Sequence, residues 1–580
     1  MPIVNCPNCG NRVSNLAPVC VFCGCAIEVP SAQKQIYEIK NKTLIKYHGN
    51  REIISIPDGI ESIGRGAFED CKSVKRVIVG SGVRSIGDYA FAGCESVESI
   101  FVCDGVSSIG FRAFSGCPAL KEIRLPNTIG AIGDRAFENC SAITELEIPH
   151  GVITIGIESF ENCSSLKTVK ISDTVTSIGH QAFAFCTSLK NVTLGENLVS
   201  IGGRAFFECS SLDKIALPDK LSIIGEEAFF ACTSLSTVDF GNGVNSIGLM
   251  AFASCTSLRS VELPESINSI AIKAFASCTS LSSLTLPQGL RDIGSEAFRG
   301  CSSLTYVSIP KSVKIFGFEV FCDCPALKSI DIGSIKRWCS VEFSLAKSNS
   351  QPYTKRLSVE GEIIKELTVP DEVTNISGAA FANCEEIVSA EISEGVLSIG
   401  PQTFLNCTRL FDIKLPSTLS SIGKQAFYNC SALGSIDIPD EVLGISSATF
   451  GECRRLQQVK MGNGVKTIDA QAFQNCVSLK SIDISDSVTS IAKGAFEGCT
   501  ALASVIIGRN VSSISAGAFE GCESIESVFF KCSADDMPRI LIGENPELDN
   551  ANVYYYSEDN DDELVGHSWK YDDVGNVIVG

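Results

Sequence analysis

Four cysteines near the start of the chain have the type and spacing of metal ligands. Cys6-Pro-Asn-Cys9-Gly and Cys20-Val-Phe-Cys23-Gly read as C-x2-C, ten residues, C-x2-C. Each pair forms a tight knuckle with both thiolates aimed at one ion. The intervening residues form a small hairpin that joins the knuckles into a tetrahedral four-thiolate site. One structural Zn2+ is therefore expected on Cys6, Cys9, Cys20 and Cys23, with Cys25 a bystander. Thiolates fill all four positions, so no place is left for a catalytic water. From Met1 to Ile27 the only charged side chain is Arg12. One cation cannot make a phosphate-binding patch, and nucleic acid is not expected as a partner.

No catalytic constellation follows. His48, His150, His180 and His567 share no repeat position, and the sequence holds no nucleophile elbow, phosphate loop or paired-carboxylate motif. The chain is expected not to be an enzyme.

The elements that position everything after the ribbon are repeats. Nineteen phenylalanines recur every 23 residues, from Phe68 through Phe321 and again from Phe381 through Phe519, and a cysteine follows each by three, from Cys71 to Cys522. A fixed period of this length means a solenoid whose repeats bury their apolar side only by stacking. Counting from the Phe, residues at plus 6, plus 9 and plus 11, such as Leu120, Ile123 and Leu125, end in the period-2 alternation of a short strand. Pro often follows at plus 12, as at Pro126 and Pro149, where its missing N–H ends the ladder. The Gly of the next Ser-Ile-Gly is replaced by Ala271, Ala492, Ser377, Ser446, Ser515 and Asp469. That column therefore needs a small side chain more than a left-handed backbone. Ala-Phe-x-x-Cys is too short for a free helix and is expected to form one short turn held by its Phe.

The cysteine column does not read as a metal or redox site. Equivalent residues of stacked coils lie on one line, whereas zinc needs ligands converging from a volume. Parallel Cβ atoms about 4.8 Å apart also miss the separation of about 3.8 Å that a disulfide needs. A buried ladder of reduced thiols is expected.

These signatures, Leu-x-x-Ile-x-Leu-Pro, Ile-Gly and Ala-Phe-x-x-Cys, resemble the BspA-like leucine-rich repeats over about residues 53 to 530. The resemblance implies a leucine-rich-repeat solenoid, β-rich, with parallel stacked strands and short helical turns. It also implies a protein-binding or surface-adhesive role. The Asn that follows the strand in ordinary leucine-rich repeats is replaced here by Pro, Gly or Ser, so an Asn ladder is not expected. The first segment resembles the short zinc ribbons at the N-termini of many bacterial multidomain proteins.

The expected organisation is a zinc ribbon over 1–27, a linker and N-terminal cap over 28–52, and twelve repeats over 53–332. An expanded cap-like repeat over 333–368, seven repeats over 369–530, and a C-terminal cap with hairpin tail over 531–580 complete it. Ile332 and Val369 occupy the same strand column but stand 37 residues apart instead of 23. The extra residues, with Trp338, Phe343 and Tyr353, resemble Lys531 to Tyr556; a local bulge in one continuous solenoid is expected, with a terminal cap retained inside a fused pair of arrays as the alternative. A formal charge of -20 opposes non-specific binding to nucleic acid or anionic lipid. No apolar run reaches the roughly 18 to 20 residues of a membrane helix, and the start lacks a secretory signal's basic and apolar regions. A cytoplasmic location is expected, with the cell surface as the alternative.

A protein partner would be read on the outward strand positions, plus 8 and plus 10. The plus-10 column includes Arg124, Glu147, Lys170, Asp239, Glu262 and Asp331, then Glu391, Lys414, Asp437, Lys460 and Asp483. Its sign alternates from Glu391 to Asp483, so neighbouring coils should pair opposite charges, each pair worth roughly 0.2 to 1 kcal/mol. Its apolar ends, Ile78 with Phe101 and Ile506 with Phe529, are expected to be covered by the flanking caps.

Overall fold

Every coil of the array turns on a phenylalanine that it shares with its neighbours. In the computed structural model, which describes residues 3–5, 12–14, 36–345, 355–557, 567–572 and 577–579, the chain forms two compact units. The first comprises Met1–Thr305 and Glu319–Leu327, the second Tyr306–Phe318 and Lys328–Gly580. The division between them falls ahead of the expanded coil. From Phe68 to Phe321 in the first unit, successive rings stack with centroids 4.7 to 5.6 Å apart. In the second, Phe381 to Phe519 do the same, with planes 1° to 16° from parallel. These are offset stacks, each worth about 0.5–1.5 kcal/mol beyond area burial.

Each coil contributes two strands. The expected one carries plus 8 to plus 10 and shows the exposed, buried, exposed pattern, as in Thr237–Asp239. Its register is one coil per step: Glu145, Leu146, Glu147 and Ile148 pair in parallel with Thr168, Val169, Lys170 and Ile171. The second strand is the Ser-Ile dipeptide, which pairs in register with the same dipeptide of the next coil, as Ser108 and Ile109 do with Ser85 and Ile86. Its Ile is buried, and the Gly that follows is held by its neighbour. Gly156 N–H donates to the Ile132 carbonyl, and a Cβ there would come within 2.7 Å of that oxygen. The column's glycines are not left-handed; size is the constraint, as expected.

The corners correct the expectation of short helical turns. The repeats contain turns but no helix; among the described residues the short helices are Ile335–Trp338, Met537–Arg539 and Pro546–Asp549, all outside the 23-residue repeats. The reason is a pair of left-handed residues two positions before and two after every Phe, such as Arg135 (φ 56°) and Asn139 (φ 61°) around Phe137. Left-handed backbone on both sides stops a helix from propagating and costs roughly 1–2 kcal/mol per non-glycine residue. Cross-coil hydrogen bonds offset that strain: the N–H groups of Arg135, Phe137 and Asn139 donate to the carbonyls of Ile157, Ser159 and Glu161 at 2.7 to 2.9 Å. The signal was present in the sequence, because 13 of the 19 residues at plus 2 are Asn, Gly or Asp.

Those asparagines also form ladders. Asn162 Nδ2 donates to Asn139 Oδ1 at 2.7 Å, and Asn429 to Asn406 to Asn383 at 3.0 and 2.9 Å. The position after the strand does lack the ladder, as expected, but the turn has one of its own. The thiols behave similarly. Cys94 Sγ donates to the Phe68 carbonyl at 3.0 Å, and the contact recurs up the column to Cys522 on Phe496. The ladder is buried, as expected, apart from half-buried Cys71 and Cys324, yet from Cys94 onward the sulfurs are weak hydrogen-bond donors and not only small apolar fillers. Burial pushes the Cys186 thiol up to about 12, and no cysteine of the described residues is disulfide-bonded.

The ends are capped by aromatic rings. At the start, the hairpin of Tyr37–Lys40 and Thr43–Tyr47 places Tyr47 on Phe68 and Tyr37 on Tyr47, at 5.1 and 5.3 Å. In the second unit, Trp338 Nε1 donates to the Ala380 carbonyl beside Phe381. At the far end, Phe529 stacks on Tyr554 and meets the edge of fully buried Trp569. Phe529 is thus covered as expected and Ile78 is buried as well, whereas Phe101 and Ile506 are only half-buried. The two similar segments also fold alike. Ile335–Trp338 leads to the strand Glu342–Phe343, and Met537–Arg539 leads to Leu541–Ile542. Each of these strands joins the Ser-Ile column, Glu342 opposite Ile315 and Leu541 opposite Ser513.

Candidate functional site

The outward strand face can be built up from its register. In the first unit, Arg124, Glu147 and Lys170 stand on three consecutive coils and surround a hollow of about 550 Å³ with His150, Asp173 and Asn127. Glu147 and Lys170 pair directly across the ladder, Nζ to Oε1 at 2.9 Å. Asn127 Oδ1 accepts the His150 backbone N–H, and Asp173 Oδ1 accepts that of Glu196, which fixes the rim. The strand ladder is interrupted here, since Glu122–Arg124 and Glu145–Ile148 belong to different hydrogen-bonded sheets. A polar hollow with both signs of charge, open to water, can hold a polar segment of a partner. It carries no activated nucleophile.

The other expected face residues are dispersed. Asp239 lies opposite Ala216, and Glu262 opposite Thr285. Asp331 is tied down by the Tyr306 hydroxyl at 3.0 Å and the Gly333 N–H at 2.9 Å. In the alternating column, Glu391 meets Lys414 at 3.7 Å. Asp437 and Lys460 share a register pair, but among the described residues neither closes an ion pair. Asp483 turns instead to Lys531 at 2.7 Å and the Tyr571 hydroxyl at 3.3 Å. The expected chain of alternating pairs therefore reduces to one contact. Long exposed side chains gain little by pairing, typically 0.2–1 kcal/mol, and solvent competes for each. The metal ligands Cys6, Cys9, Cys20 and Cys23 lie outside the described residues.

The turn side holds a cluster that no sequence motif announced. Among the described residues, Glu138, Glu158 and Glu161 are the one carboxylate, histidine or cysteine group close enough to share an ion. Arginines already meet it: Arg135 grips Glu158 through two contacts at 2.7 and 2.9 Å, and Arg112 Nε lies 3.4 Å from Glu138. The signal lay in the columns, with Glu at plus 1 in adjacent coils and Glu at minus 2 between them. Burial, a hydrogen bond with Glu158, and the charges of Glu158 and Glu138 push the Glu161 carboxyl up to about 7, while Arg135 holds Glu158 below the usual carboxylate range. A carboxyl raised in the fold destabilises it progressively as pH climbs from about 4.3, the unfolded value, to about 7, and the loss persists above that. Gln mimics the neutral acid. Glu161→Gln is therefore expected to raise the first unit's melting temperature by about 1 °C or more at pH 8 and to leave it unchanged at pH 4. Equal shifts at both pH values in differential scanning calorimetry would contradict the assignment.

Stacked coils with parallel strands, 23-residue repeats and an open outward face define a leucine-rich-repeat solenoid. The family model described as BspA type leucine rich repeat region matches residues 38–167, 153–279, 223–349, 360–448 and 420–541. The chain belongs to that family. Among solved structures, it is similar to a leucine-rich repeat protein from Bacteroides ovatus at 30% identity, covering 61% of this chain and 82% of that one with a TM-score of 0.45. A leucine rich cell surface protein from Faecalibacterium prausnitzii matches at 20% identity over 87% of this chain and 95% of that one, TM-score 0.30. A Leucine Rich Repeat protein from T. pallidum matches at 29% over 34% and 98%, TM-score 0.31. No curated protein matches the chain.

Proposed function

We propose that this protein is a non-enzymatic interaction scaffold that binds a protein partner on its outward strand face, with the N-terminal zinc ribbon as a second docking module. The observation that carries the reading is the hollow framed by Arg124, Glu147 and Lys170, where three coils present fixed, exposed charges of both signs. Support for the ribbon comes from its donor set of two C-x2-C pairs. It comes also from the antiparallel pairing of Ile3, Val4 and Asn5 with Ser14, Val13 and Arg12, which brackets the first pair.

The test is capture from native lysate followed by cross-linking. Intact protein, an Arg124→Glu/Lys170→Glu double variant, and a form lacking residues 1–30 are compared. Both substituted side chains are exposed, so the fold should tolerate the changes. The partner is expected to cross-link near the hollow and to fall at least tenfold in the double variant. Equal capture by the double variant would sink the strand-face reading, and dependence on residues 1–30 alone would move recognition to the ribbon.

A surface-adhesin role is the second reading, and one observation makes room for it. All ladder thiols but Cys71 and Cys324 are buried, and burial raises that of Cys186, so an oxidising exterior would spare most of them. Only the ribbon cysteines then argue for a reducing compartment. Among the described residues no helix is long and apolar enough to cross a membrane. Cell fractionation decides: recovery in the washed envelope supports the adhesin, recovery in the cytosol the scaffold.

A further inference from the structure

The second unit carries a notch that its repeat pattern does not require. Around Phe404, Phe427 and Phe450, three adjacent coils leave a depression of about 710 Å³. It arises from what the middle coil lacks. At plus 5 the outer coils carry Arg409 and Arg455 where the middle one has Ala432, and at plus 7 they carry Phe411 and Gln457 where it has Gly434. A Cβ built on Gly434 would meet nothing within 4 Å. Phe411 forms the apolar wall and is 58% exposed. Its backbone is nonetheless fixed, donating to the Val388 carbonyl at 3.0 Å and accepting from Gly434 N–H at 3.4 Å.

The rim is cationic in a chain whose formal charge is -20. Arg409 meets Glu386 at 3.1 Å and Arg454 meets Glu452 at 2.8 Å. Arg455 is exposed and closes no ion pair with a described residue. An exposed aromatic ring beside an open floor of Thr408, Ser431 and Ala432, flanked by guanidiniums two coils and therefore about 10 Å apart, is complementary to a short motif. That motif is an extended acid-x-aromatic-x-acid pentapeptide, whose three named side chains project from one face and whose outer residues, about 13.6 Å apart at Cα, reach inward to the guanidiniums with their side chains. A nucleic acid fits less well, because its affinity comes from a run of phosphates on a run of cations, and here carboxylates interleave with the arginines.

We propose that this notch binds an acidic peptide segment of a partner protein, seating an aromatic side chain over Gly434 against Phe411 with carboxylates on Arg409 and Arg455. The proposal rests on the interaction-scaffold reading and adds a second site, outside the plus-8 and plus-10 columns, with a stated ligand chemistry.

The probe is a fluorescein-labelled dodecapeptide with a Glu-Ser-Trp-Ser-Glu core in a Gly/Ser frame, titrated with the full chain and read by anisotropy. Saturable binding is expected, weakened at least tenfold by Gly434→Leu, which fills the floor, and at least tenfold by Arg455→Glu, which reverses the rim. Cores of Lys-Ser-Trp-Ser-Lys or Glu-Ser-Gly-Ser-Glu are expected to bind at least tenfold more weakly, and Arg124→Glu/Lys170→Glu to leave binding unchanged. Absence of saturable binding, indifference to both notch variants, or equal affinity for the lysine core would overturn the proposal. So would tighter binding of a labelled twelve-residue oligothymidylate that either notch variant abolishes. Arg455→Glu alters an exposed side chain and serves as the decisive variant if Gly434→Leu disturbs the coil. The strand-face double variant keeps the readings apart. Loss of partner capture there with no peptide binding leaves the scaffold reading standing and removes the notch; the converse result does the opposite.

Discussion

Replacing Phe229 by alanine is expected to cost the first unit about 3–5 kcal/mol and to split its unfolding into two steps. Phe229 is fully buried, with Phe206 at 5.2 Å on one side and Phe252 at 5.1 Å on the other. Truncation removes both stacks and leaves a cavity that the hydrogen-bonded corner cannot close, because Phe229 N–H is fixed to the Ala251 carbonyl at 2.7 Å. In a solenoid, stability is close to a sum of repeat and interface contributions. A defect in mid-array therefore uncouples the coils on either side. Urea unfolding followed by circular dichroism, with hydrogen exchange to locate the break, provides the measurement. Phe230→Ala is the control. That ring stacks on Phe207 at 5.1 Å but is only half-buried, and its loss should cost less than half as much. Equal effects from the two variants would show that the Phe column does not carry the array.

Removal of zinc is expected to abolish the fold of the first 27 residues while leaving the repeats intact. Structural four-thiolate sites contribute apparent binding energies of about 10–16 kcal/mol, which in so short a segment is nearly all of its folding energy. Protein purified under reducing conditions should hold one zinc per chain. Cys9→Ser should reduce that to none, open the segment to proteolysis, and leave the circular dichroism and melting of the repeats unchanged. A metal content near zero in reduced wild-type protein, by plasma mass spectrometry, would end the ribbon reading and the docking role built on it.

The columns of the sequence determined much of this protein. A 23-residue period makes residue i the neighbour of residue i+23, so translation alone predicts that Phe229 stacks on Phe206 and Phe252, that Cys232 is buried, and that Glu147 faces Lys170. The small-residue requirement after Ser-Ile was legible in its Gly, Ala and Ser, but its backbone hand was not, because Ala231, Ser254 and Ala379 are left-handed at the corners. The corners could have been read from the Asn, Gly and Asp at plus 2, but at minus 2 left-handed backbone falls on residues such as Arg135 and Glu158. There cross-coil hydrogen bonding overrides local preference, and no residue type advertises it.

Only the tertiary structure decided which surface groups combine. Lys414 meets Glu391, whereas Asp483 leaves its column for Lys531 and Tyr571, since exposed charges pair by reach and competition and not by register alone. Glu138, Glu158 and Glu161 converge because a corner folds minus 2 and plus 1 of one coil against plus 1 of the coil before. The notch at Gly434 exists because three coils place a missing side chain between two long ones. Periodicity fixes where backbones lie, and therefore the core. Side-chain length and solvent competition, which differ from coil to coil, fix what the surface can hold.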